Sequence, residues 1–461
     1  MDPLLIEKIN RLWEPIYPSL SRFVLDLFGR TEGDVLELGP FAGGIAREFL
    51  PLSSEFRVVL ANTFLEVFDD LQEEISKTPF AQRMMITPSP LSPLTFLDKS
   101  FDLVICRGAF FFLTPAILQE IYRVLRPGGC ALVGGGYGTV TPQTSIEKIA
   151  EESKELNLQL GKQWMSHEDL TQMIQKASLQ EDVTISTEGG LWIILRRGGE
   201  GEKPQRLADA LSLGSNEIIA LTGGGGKTAL LFALAKELQQ RGSKVIATTT
   251  AKIFEPAQEQ TPSLIMEADE GKAIASIQEG LLQNGHVTFA AERFPEGKIG
   301  GVDPHFIQKM AQELPVDHII VEADGSKRLP LKAPGEQEPI IPPAATLVIP
   351  VVGIDAVGKP LNKEQAFRPE RIAELTGTKL GDPITPHVIA SLIAHPQGLC
   401  KGVPTGARII PFINKVETTE GLDGAREIAQ EVLEKEDKIE RVVLGRLFFH
   451  HPIVEIMERR N

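Results

Sequence analysis

The sequence predicts an α/β protein with two domains, each built on a mostly parallel sheet wrapped by helices. The chain has 461 residues, about three times the ~150 residues expected of one domain. Both halves alternate short β-rich segments with stretches of helical period, a pattern typical of parallel sheets covered by helices. Between them, the segment RGGEGEKP (197–204) combines glycine, charge and proline as linkers do. We therefore expect a first domain at 1–197, a linker at 198–204 and a second domain at 205–461.

Composition and charge exclude several classes of function. The 47 Lys and Arg residues against 62 Asp and Glu residues give a net charge of -15, which repels polyanions. The three cysteines, Cys106, Cys130 and Cys400, are too far apart in the sequence for a CxxC pair, which argues against a disulfide framework or a thiolate metal site. The amino terminus lacks a secretory signal, and no segment approaches the ~18 consecutive apolar residues of a spanning helix. We expect a cytoplasmic protein that binds neither nucleic acid nor a membrane.

The first half contains five β-rich segments with helical patterns between most of them. They are DVLEL (34–38), RVVLA (57–61), RMMI (83–86), FDLVIC (101–106) and CALVGGG (130–136). The half ends with DVTIS (182–186), a Gly-Gly turn and LWIILR (191–196), a spacing that indicates an antiparallel hairpin. We expect a mostly parallel sheet with that hairpin at its edge.

A glycine-rich segment follows the first of these strands. The string VLELGPFAGGIAREF resembles the first motif of class I S-adenosylmethionine-dependent methyltransferases, and Glu37, Gly39 and Gly43 fit its pattern. FDLVICRGAFFFLTP and EIYRVLRPGGCALVGGGYG resemble further elements of the same family. The resemblance covers about 20–197. It implies a Rossmann-like fold, S-adenosylmethionine as a possible cofactor and methyl transfer as a possible activity.

Three positions depart from that family's pattern. Phe41 replaces the middle glycine, Asn62 lies where a ribose-binding acid is usual, and Pro90 lies where an acid meets the adenine. Asn62 can still bond ribose hydroxyls, but neutral hydrogen bonds are about half as strong as charge-assisted ones. We expect weak S-adenosylmethionine binding, with a relic domain as the alternative.

No strong acid or base marks an acceptor site in this half. Arg107 and Tyr137 follow strand ends on the ligand side of the expected sheet and are our acceptor-side candidates. The run Phe110, Phe111 and Phe112 either stacks on a planar acceptor or, as is more usual beside a strand, belongs to the core or a lid.

The second half opens with a glycine loop between a strand and a helix. EIIAL (217–221) precedes Gly223, Gly224, Gly225 and Gly226, and Lys227 and Thr228 begin a leucine-rich helical pattern. In this context backbone N–H groups cradle a phosphate, Lys227 reaches the β/γ-phosphates and Thr228 ligates Mg²⁺. The loop is shorter than GxxxxGK[ST], since Leu221 stands in place of the first glycine. We predict a P-loop nucleotide-binding α/β fold, with a flexible glycine turn as the alternative.

A second Mg²⁺-directed carboxylate is expected at the end of a neighbouring strand. HIIVEADG (318–325) supplies Glu322 and Asp324, which strand alternation sends to the same face. We favour Asp324 as the Mg²⁺ ligand beside Thr228, with Glu322 close behind. The alternative is an acid that merely begins a turn.

The string NKVE follows another strand-like segment, RIIPFI (408–413). Asn414, Lys415 and Glu417 resemble the NKxD signature by which GTPases bind guanine, with Glu in place of Asp. A polar loop leaving a strand explains the same four residues. The choice between ATP and GTP therefore stays open.

The second half contains six long and unusual strings: GGGGKTALLFALAKEL, VIATTTAKIFEP, KIGGVDP, VEADGSKRLPLKAP, EPIIPPAATLVIPVVGIDAVGKPL and FINKVE. In this order, they resemble the YqeC family of selenium-dependent hydroxylase accessory proteins. The resemblance covers about 205–461. It implies a nucleotide-binding factor whose partner is a selenium-dependent molybdenum hydroxylase or its cofactor. It also implies a polar site made by Lys227, Thr228, Asp324, Lys327 and Lys332, with Asp355 and Arg368 as weaker candidates.

The two resemblances together predict a fusion protein for hydroxylase maturation, acting with Mg²⁺ and ATP or GTP. The first domain then methylates a precursor or only senses S-adenosylmethionine. Two alternatives stay open: a small-molecule kinase that uses the same phosphate loop, and a non-enzymatic, nucleotide-gated chaperone with a relic methyltransferase domain.

Overall fold

The computed structural model describes residues 2–53, 55–63, 65–162, 165–199 and 203–459. Two compact units are present. The first consists of Met1–Lys203 with Phe448–His450, and the second of Pro204–Leu447 with His451–Asn461. Of the predicted linker, residues 200–202 lie outside the described part of the chain.

The first unit contains seven α-helices and seven strands within its described residues. The helices are α1 (Pro3–Trp13), α2 (Tyr17–Phe28), α3 (Gly44–Leu52), α4 (Asp69–Ser76), α5 (Pro115–Val124), α6 (Gln143–Gln159) and α7 (His167–Lys176). The strands are β1 (Gly33–Leu38), β2 (Phe56–Asn62), β3 (Met84–Pro88), β4 (Phe101–Arg107), β5 (Leu125–Gly136), β6 (Val183–Ser186) and β7 (Gly190–Arg196).

These strands form one sheet in the order β3-β2-β1-β4-β5-β7-β6. Strands β1 to β5 run parallel, and β6 and β7 form an antiparallel hairpin at the edge, as the sequence predicts. Every residue of β1 and of β4 is buried, which explains their continuous apolar sequences, because helices cover both faces of a parallel sheet. Since their carboxyl ends meet at one edge, residues that follow β1, β2, β4 and β5 are brought together there.

The RPGG segment lies within β5, directly after helix α5. The register of β5 against β4 shifts there, between Phe101 and Leu103. The glycines accommodate this irregularity, since Gly128 has φ +76°.

The second unit contains α8 (Leu207–Ala210), α9 (Lys227–Gln240), α10 (Glu270–Asn284), α11 (Pro304–Glu313), α12 (Pro369–Thr376), α13 (Pro386–Ala394) and α14 (Thr419–Lys435). Its main-sheet strands are β8 (Glu217–Gly223), β9 (Val245–Thr249), β11 (Leu264–Met266), β12 (His286–Ala290), β15 (His318–Glu322), β17 (Leu347–Gly353), β19 (Arg408–Ile409), β20 (Phe412–Asn414), β21 (Arg441–Gly445) and β22 (Ile453–Glu458). Smaller pairings join β10 (Lys252–Phe254), β13 (Glu292–Phe294) and β14 (Lys298–Gly300), and β16 (Leu331–Lys332) with β18 (Ala366–Phe367).

The main sheet has the order β11-β12-β9-β15-β8-β17-β20-β21-β22, with β19 beside β17. All its pairings are parallel except that of β22 with β21. The segment RIIPFI predicted one strand, but the structure has two, because Pro411 has no N–H to continue the ladder. Strand β8 lies at the centre, so the loop that follows it is flanked by the ends of β15 and β17.

No helix in the described part of the chain has the length and apolar character needed to cross a membrane.

Candidate functional site

The glycine loop, Gly223–Gly226, connects the central strand β8 directly to helix α9. Gly225 has φ +71°, and a Cβ added to it would lie 2.1 Å from the Gly353 nitrogen. Gly226 has φ +128° and would place a Cβ 2.3 Å from the Asn414 side-chain nitrogen. These two positions require glycine, both for their backbone conformation and for the close approach of neighbouring loops.

The backbone N–H groups of this loop divide into two sets. Those of Gly223, Gly224 and Gly225 donate to Asp324 Oδ2, Val351 O and Leu329 O at 3.2, 2.8 and 3.0 Å. Within the described residues no acceptor faces the N–H groups of 226–229, and α9 has no side-chain cap. Unsatisfied N–H groups at a helix N-terminus attract anions. The N–H groups whose geometry suits an anion therefore lie at the helical end of the loop.

Two acids at the end of β15 contact the start of α9. The Lys227 ammonium lies 3.2 Å from Asp324 Oδ1 and 3.6 Å from Glu322 Oε1. The Thr228 hydroxyl donates to Glu322 Oε2 at 2.7 Å. Lys227 is 2% exposed and also donates to the Gly223 carbonyl. Thr228 is thus paired with Glu322, whereas Asp324, our favoured Mg²⁺ ligand, is engaged by Lys227 and by the Gly223 N–H.

A second buried lysine extends this arrangement away from the loop. Lys332 is 0% exposed, and its ammonium lies 3.0 Å from Asp324 Oδ2 and 2.8 Å from Glu338 Oε2. Arg368 Nη1 contacts the same Glu338 oxygen at 2.6 Å. Three acids and three bases therefore alternate in a continuous line, which we call the charge cluster: Glu322, Lys227, Asp324, Lys332, Glu338 and Arg368.

The first and last carboxyl groups of the charge cluster, Glu322 and Glu338, have pKa values shifted in opposite directions. Burial raises the pKa of Glu322, although the Lys227 charge opposes the shift. Burial also acts on Glu338, but hydrogen bonds from Arg368 and Lys332 outweigh it and lower its pKa to about 2. Glu338 is therefore firmly ionised, whereas further positive charge beside Thr228 would stabilise the Glu322 carboxylate in addition to Lys227.

Asn414 supports the glycine loop. Its side-chain nitrogen donates to the Gly225 carbonyl at 2.8 Å, and its oxygen accepts from the Leu447 N–H at 3.1 Å. Lys415 forms an ion pair with Asp355 at 2.6 Å. Glu417 is half-buried, and burial raises its pKa to about 7. The first of the three residues predicted to contact guanine is thus engaged with the loop backbone, and the second with Asp355.

In the first unit, the four residues predicted to hold S-adenosylmethionine surround the end of β1. The Glu37 carboxylate accepts from the Ile45 and Ala46 N–H groups at 3.3 and 2.8 Å, at the start of α3. Burial raises its pKa to about 7 despite these bonds. Gly43 precedes α3 with φ +108°, and the Gly39 N–H donates to the Ala61 carbonyl, next to the buried Asn62.

Aromatic side chains cover this strand end. A Cβ added to Gly39 would lie 3.2 Å from the Phe112 ring and 3.8 Å from the Leu91 side chain. Phe41 is 1% exposed, and its ring centroid lies 5.0 Å from that of Phe111. At Gly39, the backbone that would approach a ligand is therefore covered by side chains, whereas Gly43 and Gly44 line a cavity at the same turn.

Comparison with known proteins covers both units. A family model described as "YqeC protein" matches residues 219–370, and one described as "Methyltransferase domain" matches 36–133. YqeC of Escherichia coli (strain K12), described as uncharacterized, is 33% identical over 242 residues, which are 51% of this chain and 90% of that protein. The chain belongs to the YqeC family. Together with the strand order, the methyltransferase match shows a Rossmann-like methyltransferase fold in the first unit, and it supports S-adenosylmethionine as the cofactor class of this domain.

Several solved structures that resemble part of the chain are methyltransferases. A candidate S-adenosyl-L-methionine-dependent methyltransferase from Methanococcus maripaludis is 22% identical, covers 44% of this chain and 94% of its own, and has a TM-score of 0.37. A methyltransferase from Aquifex aeolicus is 17% identical, covers 42% of this chain and 97% of its own, and has a TM-score of 0.31.

Other residues suggested by the YqeC resemblance are not all in the charge cluster. Lys332 and Arg368 belong to it, whereas Lys327 is exposed and lies 4.8 Å from the Phe367 ring centroid. Glu338 was not a sequence candidate, because no motif surrounds it. Its position in the string GEQEP, six residues after Lys332, offers only the weak signal of an acid near a buried base. Within the described residues there is no group of three or more His, Cys, Asp or Glu side chains that could hold a metal ion.

Proposed function

We propose that the second unit is a P-loop domain that binds a nucleoside triphosphate with Mg²⁺. The observation that carries the proposal is the convergence of Lys227, Thr228 and Glu322 beneath the free N–H groups at the start of α9. These N–H groups would hold phosphate oxygens, as helix N-termini do. Lys227 would turn from its carboxylate partners toward the β/γ-phosphates.

For the metal, the pairing of Thr228 with Glu322 supports a revised assignment. Mg²⁺ prefers oxygen ligands, is commonly held by one or two protein groups and keeps several waters and phosphate oxygens. One hydroxyl and one carboxylate 2.7 Å apart fit that requirement. Asp324, bonded to two lysines, instead fixes Lys227 beside the loop.

Calorimetry on the full chain with ATP, GTP and Mg²⁺ tests this function. Lys227→Ala should weaken binding by about 1.5–3 kcal/mol, the range for a hydrogen bond to a charged group. Lys236→Ala is the matched control, because Lys236 is exposed on the same helix. Equal nucleotide affinity of the Lys227→Ala and control variants would show that Lys227 does not contact the nucleotide. Steady phosphate transfer to an added metabolite would favour the kinase alternative.

Glu417 is the proposed determinant of base preference. It follows the loop-supporting Asn414 by three residues, and its half-buried carboxyl has a pKa near 7. If it accepts hydrogen bonds from guanine, GTP should bind more tightly than ATP, since the wrong base leaves a buried polar group unpaired. Glu417→Gln should remove the preference. Equal affinities in the unchanged protein would contradict guanine binding and leave the phosphate site intact.

We further propose that this nucleotide site serves maturation of a selenium-dependent molybdenum hydroxylase in the cytoplasm. The support is the resemblance of the second half to the YqeC family. Deletion of the gene should abolish the hydroxylase activity while its polypeptide stays abundant, and Thr228→Ala should reproduce the deletion. Full activity and normal selenium content in the deletion strain would refute the role. Slow nucleotide turnover stimulated only by the hydroxylase would favour a nucleotide-gated chaperone.

Methyl transfer by the first unit is the second candidate function, favoured by the methyltransferase-domain match at 36–133. Because Phe112 and Leu91 cover Gly39, we derive no transfer step from this arrangement. A thermal shift at millimolar S-adenosylmethionine detects even weak binding, since a ligand of the native state raises stability. No shift would indicate a relic domain.

A further inference from the structure

A cavity of about 240 Å³ lies in the first unit, at the carboxyl ends of β4 and β5. Its wall is mostly aromatic and aliphatic, formed by Trp13, Phe41, Phe110, Phe111, Tyr137 and Met165. Two bases, Arg107 and Lys162, also line it. Because pockets for drug-sized ligands measure about 300–1,000 Å³, this cavity accepts a smaller ligand.

Arg107 is the polar feature of this cavity. It is the last residue of β4 and is 6% exposed. Its Nη1 donates to the Tyr17 hydroxyl at 3.1 Å, and its guanidinium carbon lies 5.6 and 5.2 Å from the Trp13 and Tyr17 ring centroids. Its Nε is buried without a hydrogen-bond partner. Across the described residues, no carboxylate oxygen lies within the 4.0 Å of an ion pair with Arg107.

Another buried arginine of the same unit, Arg126, has carboxylate partners of the kind that Arg107 does not have among the described residues. Arg126 contacts Asp102 at 2.5 Å and Asp34 at 2.8 Å, so its charge is compensated twice. The nearby Glu37 lowers the cost of the Arg107 charge only at longer range, because its carboxylate is held by the N–H groups of α3. A buried cation without a paired anion is costly. An anion supplied by a ligand would remove that cost.

The second base strengthens the positive character of the cavity. Burial and the charge of Arg107 both lower the pKa of Lys162. An anion between the two would therefore be attracted by both. Among the described residues that line the cavity, the other polar side chains are Asn157 and Tyr137.

We propose that this cavity binds a small planar monocarboxylate, with its carboxylate on Arg107 and its ring or conjugated body against the aromatic wall. The guanidinium presents parallel donors that match the two oxygens of a carboxylate. The aromatic faces favour a flat apolar body over a flexible or bulky one. The inference does not depend on nucleotide binding or on methyl transfer.

Benzoate is the probe, and benzamide is its neutral isostere. Trp13 lines the cavity, so tryptophan fluorescence of the full-length protein should change saturably with benzoate, and the melting temperature should rise. Benzamide should bind at least 10-fold more weakly, because it lacks the charge that Arg107 needs. Equal affinities for the two, or a fluorescence response that does not saturate, would overturn the proposal even if no variant were made.

Variants of Arg107 then test whether the carboxylate of benzoate binds to this residue. Arg107→Met should reduce benzoate affinity at least 10-fold while the free protein melts at the same or a higher temperature, since an uncompensated buried charge is removed. Arg107→Lys should retain part of the affinity. The control is Arg22→Met, on the exposed face of α2, which should bind benzoate unchanged. Wild-type affinity in Arg107→Met, or an equal loss in the control, would refute the assignment.

Discussion

Asp324→Asn tests whether the charge cluster stabilises the second unit. Asp324 is 1% exposed and lies between two buried ammonium groups, 3.2 Å from Lys227 and 3.0 Å from Lys332. The three acids of the cluster balance its three bases. Asparagine keeps the shape of the side chain but removes one negative charge, so one positive charge stays uncompensated in the interior.

The expected loss of folding free energy depends on the ion-pair partners that the two lysines keep. Removing one member of a buried ion pair costs about 3–5 kcal/mol. Each lysine keeps a second acid, Glu322 at 3.6 Å from Lys227 and Glu338 at 2.8 Å from Lys332, so we expect the lower end, about 3 kcal/mol. For a unit of this size 1 kcal/mol corresponds to about 2–4 °C, which predicts a fall of about 6–12 °C in melting temperature.

Far-UV circular dichroism of the full chain measures this fall. Asp437→Asn is the control, because Asp437 is 98% exposed in its pair with Arg459 and such pairs contribute little. The double variant Asp324→Asn/Lys332→Met should recover part of the loss, since the uncompensated cation is also removed. A fall of less than about 2 °C for Asp324→Asn, or one no larger than that of the control, would refute the reasoning.

Three further predictions each concern a single side chain. Thr228→Val should abolish the Mg²⁺ dependence of nucleotide binding seen by calorimetry, since the hydroxyl bonded to Glu322 is lost; unchanged Mg²⁺ dependence would exclude Thr228 as a ligand. Burial raises the pKa of Glu417 to about 7 from the usual 4.5, so the unfolded chain loses this proton first and stability should fall between about pH 4.5 and 7; Glu417→Gln should flatten that part of the urea-denaturation profile, and an identical profile would contradict the shift. Phe112→Ala should increase the thermal shift with S-adenosylmethionine by uncovering Gly39; no increase would mean that Phe112 does not limit binding.

The sequence predicted the first-unit sheet well because its strands are continuous apolar segments separated by clear turns. Its edge hairpin was found for the same reason, from the spacing of two β-rich segments around Gly189 and Gly190. Prediction failed where a strand is short or interrupted. Strand β12 follows a helix without a turn signal beyond Gly285, and Pro411 divides an otherwise uniform apolar segment.

At the site, the sequence predicted residues that are adjacent in the chain but not contacts between residues that are distant in it. The glycine loop, Lys227 and Thr228 lie next to each other in the sequence, so their motif could be read directly. Which acid pairs with Thr228 could not be predicted, because alternation assigns Glu322 and Asp324 to one face. In the structure β15 ends at Glu322, and only the three-dimensional contacts separate the two acids. The cover over Gly39 comes from Phe112 and Leu91, which are remote from the glycine turn in sequence.

The balanced charge cluster also constrains how the proposed nucleotide would bind. Its bases are already compensated, so a phosphate chain would gain attraction chiefly from the free N–H groups at the start of α9 and from Mg²⁺. Lys227 can reach a phosphate only by leaving Asp324 and the Gly223 carbonyl. Asp324 would then keep Lys332 as its partner, and Glu322 and Thr228 would be the residues available to hold Mg²⁺. Nucleotide and Mg²⁺ should therefore bind cooperatively, because the departure of Lys227 leaves on Glu322 the negative charge that Mg²⁺ neutralises.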